Sequence, residues 1–79
     1  MKTVIPLSKM KSGKNGVVVA IEGGIKIVQR LEALGIRLDK KVLKVSGMLF
    51  GGPIIVKVGQ CQFGIGYGMA SKILVEVAK

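Results

Sequence analysis

The sequence has no histidine and no tryptophan, a single cysteine, two prolines, and only three aromatic residues. Each scarcity removes a class of function. Without histidine the chain lacks the side chain most often used for proton transfer near neutrality and for holding a transition metal. A lone Cys61 cannot form an internal disulfide, so nothing points to an oxidised, exported scaffold, and the cytoplasm is the expected location. Long apolar runs are missing too. The longest charge-free stretch, Val58 to Ser71, is interrupted by Gly59, Gly64, Gly66 and Gly68 and contains Gln60 and Gln62, so it is no membrane span. The amino terminus, Met1-Lys2-Thr3-Val4-Ile5-Pro6, has neither the apolar core nor the small-residue cleavage site of a secretory signal.

What is present describes a small globular chain. Seventy-nine residues suit one domain, expected over 1–79, with a thin core. Hydrophobic residues make up 49% of the chain, and with aromatics at 4% the core must come from Val, Ile, Leu and Met. Twelve glycines imply many tight turns between short elements, which favours a small β-barrel or sandwich. Thirteen Lys and Arg against four Asp and Glu leave a net charge of +9. That charge suits nucleic acid, anionic lipid or an acidic protein face, and equally a solvated lysine shell that keeps strand edges apart.

Along the chain, Leu7-Ser8-Lys9-Met10 leads through the turn Ser12-Gly13-Lys14-Asn15-Gly16 into a β-branched strand, Val17 to Glu22. After Gly23-Gly24 the period changes. Ile27, Val28, Leu31 and Leu34 recur at helical spacing, opposite Lys26, Gln29, Arg30 and Glu32, and Gly35 supplies the stop. A turn at Leu38-Asp39-Lys40-Lys41 precedes a second strand, Val42 to Val45, in which adjoining apolar residues leave the inward face open. Gly59-Gln60 fits a two-residue type II′ turn. It predicts a hairpin with Val58 facing Cys61, Val56 facing Phe63 and Ile54 facing Ile65 on one apolar side, and Lys57 facing Gln62 on the other. Cys61 is accordingly expected as a packed core thiol. A helical turn at Met69-Ala70-Ser71-Lys72 and a last alternating strand, Ile73 to Ala78, complete the pattern. Five strands, one short amphipathic helix and a helical turn before the last strand predict a mainly β fold, a small, partly open SH3-like barrel, with an OB-like barrel as the competitor.

Catalysis finds no candidate. Glu22, Glu32, Asp39 and Glu76 are scattered over different elements. Gly13-Lys14 resembles a P-loop only until Ser8 is found in place of its upstream glycine and Asn15 in place of the required Ser or Thr. Gly64-Ile65-Gly66-Tyr67-Gly68 has the wrong spacing for a dinucleotide loop. A single-strand nucleic-acid binder needs exposed aromatics among its basic residues, and only Phe50, Phe63 and Tyr67 exist. The lysines are spread along the sequence, so nucleic-acid binding is the weaker reading. One segment invites an interaction: Met48-Leu49-Phe50, three large apolar residues in a loop flanked by glycines. Such a loop either folds back as a lid on the barrel or presents an apolar patch to a partner or a second copy.

The residues Leu7, Met10, Gly13, Gly16-Val17-Val18, then Ile21-Glu22-Gly23-Gly24, Arg30-Leu31, Leu34-Gly35, Gly51-Gly52-Pro53-Ile54, Val56, and Lys72-Ile73 with Val75, resemble the FeoA family across essentially the whole chain. The resemblance implies an SH3-like barrel, no enzymatic activity, and an accessory role in ferrous iron uptake beside FeoB, a permease with a cytoplasmic GTP-binding domain. The apolar loop residues Met48, Leu49 and Phe50, with Tyr67, are the candidate partner contacts. A related barrel in iron-dependent repressors supplies the alternative of a regulatory domain. No cofactor and no intramolecular iron site are expected, because the chain offers scattered carboxylates, no imidazole and net repulsion of cations. A metal held between two copies, through Cys61 or surface carboxylates, stays open.

Overall fold

The computed structural model describes residues 2–47 and 53–78. In chain order they form strand β1 (Lys2–Pro6), a 3-10 turn (Leu7–Lys9), β2 (Asn15–Ile21), helix α1 (Ile25–Ala33), β3 (Lys41–Gly47), β4 (Ile54–Val58), β5 (Cys61–Ile65), the one-turn helix α2 (Tyr67–Ala70) and β6 (Ile73–Ala78). The strands pair antiparallel throughout, in the order β1-β6-β2-β3-β4-β5. This is the expected mainly β, partly open SH3-like barrel, with one strand more than the sequence predicts.

The additional strand is β1. Lys2-Thr3-Val4-Ile5-Pro6 is short and ends in proline, so little in it announces a strand. Its conformation comes from β6, which it pairs from Lys2 opposite Ala78 to Pro6 opposite Leu74. Proline is tolerated there because β1 is an edge strand.

Curvature comes from two bulges. Register slips between Val18 and Ala20 against β6, and between Lys44 and Ser46 against β4, leaving Val19 and Val45 as the extra residues. Both valines are partly exposed. An unpaired residue bends its strand and raises the local twist, which lets a six-stranded sheet curl around one core. That core joins Leu7, Met10, Val18, Leu31, Ile36, Val42, Ile54, Val56, Ile73 and Val75 in one cluster.

Helix α1 buries Leu31 completely and half-buries Ile27 and Val28, the face that the period predicts. Leu34 is different. The helix closes one residue earlier, at Ala33, and Leu34 at its C-cap is 41% exposed. Gly35 follows at φ 93°, and the Gly35 and Ile36 amides donate to the Glu32 and Leu31 carbonyls at 2.9 Å each. This is a Schellman ending, sealed by the buried pair Leu31 and Ile36.

The β4–β5 hairpin has the predicted register at all four quoted pairs, and of its two turn residues only Gly59 has a positive φ, at 62°, as type II′ demands. The prediction fails at Cys61, which is exposed. Its partner Val58 is covered by the turn at Gly35, whose added Cβ would lie 3.6 Å from a Val58 methyl. Cys61 sits beside the hairpin turn on an edge strand, where pairing with an apolar residue does not bring cover.

Strand β3 turns Val42 and Lys44 inward, which resolves the ambiguous facing. Lys44, 6% exposed, sends its ammonium to the Ser8 carbonyl at 3.2 Å and the Met10 carbonyl at 2.5 Å. A buried cation thus ties the 3-10 turn to the middle of the sheet and satisfies carbonyls that the short turn leaves open.

Candidate interaction surface

Of the four residues the sequence nominates for partner contact, Met48, Leu49 and Phe50 lie outside the described residues. Tyr67 is 45% exposed at the start of α2. Its carbonyl accepts the Ser71 amide and the Ser71 hydroxyl, each at 3.0 Å, and that hydroxyl also meets Ser8 Oγ at 3.2 Å. The α2 turn is therefore fastened to the 3-10 turn, and the Tyr67 ring projects from a fixed backbone. Other exposed apolar side chains, among them Ile25, Leu38 and Val4, are distributed over separate elements.

A different surface gathers charge. Three open clefts meet at Asn15, the first residue of β2. One, of about 430 Å³, runs between Lys40, Lys41 and Lys57 beside Leu43. A smaller one, of about 180 Å³, holds Lys2 and Glu76, whose side chains pair at 3.6 Å. The third, of about 560 Å³, has Ile5, Met10 and Val77 in its lining and Lys9, Lys11 and Lys14 around them. The first two share Lys41 and open on the outward side of the sheet with Lys2, Glu76, Leu43 and Lys57. Thr3, Ile5 and Val77 put the third on the inward side of β1 and β6, in register with buried Val75.

The sequence hides this clustering, because its lysines come from β1, the 9–14 loop, β3 and β4. Only strand pairing gathers them around Asn15. The signal available beforehand was the lysine-rich turn from Lys9 to Asn15, read above as a connection only.

Chemically the described residues offer little beyond charge and shape. Among them no three His, Cys, Asp or Glu side chains converge as metal ligands, and no helix is long and apolar enough to cross a membrane. Burial pushes the Lys44 ammonium below its ordinary pKa of 10.5, but its contacts are structural carbonyls.

Known proteins share this architecture. A relative from Methanocaldococcus jannaschii, provisionally named Fe(2+) transport protein A, is 34% identical over 94% of this chain and 88% of its own. The crystal structure of an iron uptake regulatory protein, FeoA, superposes with a TM-score of 0.84 at 38% identity, covering 92% of this chain and 95% of that one. The zinc complex of Stenotrophomonas maltophilia FeoA, described as a prokaryotic SH3 domain protein, gives a TM-score of 0.74 at 27% identity over 87% of this chain and 86% of that one. The FeoA domain model matches residues 5–77, from the penultimate residue of β1 to the penultimate residue of β6, and the chain belongs to the FeoA domain family.

Proposed function

We propose that this domain is a non-catalytic cytoplasmic accessory of ferrous iron uptake, which binds the cytoplasmic GTP-binding region of a FeoB-type permease and adjusts its assembly or activity. The observation that carries the reading is family membership over nearly the whole chain, joined to a 34%-identical relative named for Fe(2+) transport. The inventory of the domain agrees with it. A docking module needs a rigid scaffold with an accessible surface, and here a bulged sheet holds Tyr67 and a lysine-lined face outward. The proposed contact residues are Met48, Leu49, Phe50 and Tyr67.

The test is retention of the permease's purified cytoplasmic region on immobilised domain, with Met48→Asp, Phe50→Asp and Tyr67→Ala variants alongside. Retention by the wild type and loss in the variants is the expected result. No retention by wild-type protein, with or without guanine nucleotide, would sink the permease reading, and full retention by all three variants would remove these residues as the contact.

A further inference from the structure

The Asn15-centred clefts collect seven of the thirteen Lys and Arg of the chain but only one of its four carboxylates, Glu76, which is already paired with Lys2. Glu22, Glu32 and Asp39 lie elsewhere. Like charges brought together raise each other's energy unless a counter-charge arrives, so these clefts are ready receptors for anions. Shape and floor narrow the class. The largest cleft is rimmed by Lys9, Lys11 and Lys14 over the apolar side chains of Ile5, Met10 and Val77. Carboxylates at the rim and an aliphatic side chain on the floor would both be satisfied by one occupant.

From this geometry we infer that the largest cleft, rimmed by Lys9, Lys11 and Lys14, binds an extended acidic peptide segment of another protein, with aliphatic residues between its carboxylates. Two rivals fit less well. Among the described residues nucleic acid would find no aromatic platform, since neither Phe63 nor Tyr67 lines these clefts. A bilayer surface is broad and nearly flat, and it would touch the lysine rims while leaving the apolar floor unused. The molecule's longest extent is 30 Å, so at roughly 3.3 Å per residue the path seats at most about nine extended residues. The inference stands on charge and geometry and does not require the permease to be the partner.

The experiment uses the full chain and a fluorescent peptide of alternating glutamate and leucine, about nine residues long to match that span, read by anisotropy. Three charge-reversed proteins are compared with wild type: Lys9→Glu/Lys11→Glu/Lys14→Glu in the largest cleft, Lys40→Glu/Lys41→Glu/Lys57→Glu in the neighbouring one, and Lys26→Glu/Arg30→Glu/Lys72→Glu away from both. All three change net charge equally, so they separate a site from a general field. Binding should weaken at least about tenfold more in the variant of Lys9, Lys11 and Lys14 than in either of the other two, a difference of about 1.4 kcal/mol. Replacing the peptide's leucines by serine should weaken binding further. Equal weakening in all three variants, or no binding by wild type at low salt, overturns the inference. So does tighter binding, through the same lysines, to phosphatidylserine vesicles or to a short DNA duplex. Because the permease takes no part, this failure and failure of the permease reading are separate results.

Discussion

Two glycines do unlike work. At Gly16 the constraint is space, since an added Cβ would lie 3.0 Å from Val75 Cβ and 3.1 Å from both Met10 Sδ and Val77 Cγ1. At Gly35 the constraint is conformation, with φ at 93° and only an ordinary contact ahead of the missing Cβ. Gly16→Ala is expected to cost about 1–3 kcal/mol through overpacking, and Gly35→Ala about 1–2 kcal/mol through left-handed backbone strain. Urea unfolding measures both, and Val77→Ala in the same chain, which removes the Cγ1 contact, should lessen the first cost in a double-mutant cycle without touching the second. Lys44 is the residue whose role was least legible. A lysine between Leu43 and Val45 reads as an outward position on a strand, and its buried place follows from two carbonyls supplied some thirty-five positions earlier. Its lowered pKa has a definite sign. Below the folded-state pKa both states hold the proton, while between that value and 10.5 the unfolded chain binds more proton, so stability rises with pH. Wild type should therefore gain stability relative to Lys44→Met as pH is raised from neutrality through 10.5, as read by unfolding at matched salt. Were the gap between the two proteins to stay constant, the ammonium would not be desolvated. For Cys61 the exposed position predicts prompt reaction of native protein with a thiol reagent. A thiol that reacts only after urea is added would place it back in the core.

Among the elements, legibility followed how locally each is determined. The β4–β5 hairpin could be read because its turn residues and its apolar alternation specify the same register. The end of α1 could be read because glycine at C′ is a local solution to open carbonyls. Strand β1 could not, for its five residues become a strand only by pairing with β6, 68 to 76 positions away. The candidate site divides in the same way. An apolar run such as Met48-Leu49-Phe50 is visible in sequence, whereas the lysine clefts exist only after β1, β6, β2, β3 and β4 are laid side by side. Helix α1 is attached to the core chiefly by Leu31, fully buried, and sealed by Ile36. Leu31→Ala is expected to lose about 2–5 kcal/mol. Ile25→Ala, at a position 73% exposed on the same helix, should change stability by less than about 0.5 kcal/mol. Comparable losses in the two variants would contradict the helix orientation described above.

At the scale of the whole molecule, the barrel has two unequal edges. β1 carries Lys2 and ends in Pro6, both of which discourage pairing with another chain. β5, Cys61-Gln62-Phe63-Gly64-Ile65, has no charge and no proline, and among the described residues it pairs with β4 alone. The strand itself has nothing that turns away a second copy, so the guard is collective: a net charge of +9 keeps two molecules apart before their edges can meet. Such a guard depends on the solvent. At 1 M salt the Debye length shrinks to about 3 Å, and the repulsion that serves in dilute buffer no longer reaches across the gap. Concentrated salt should then convert monomers into edge-to-edge oligomers, seen as rising mass in light scattering, and Gln62→Lys should prevent it by restoring charge to the strand itself. The colloidal fate of this small protein thus rests on five neutral residues and on the ions around them.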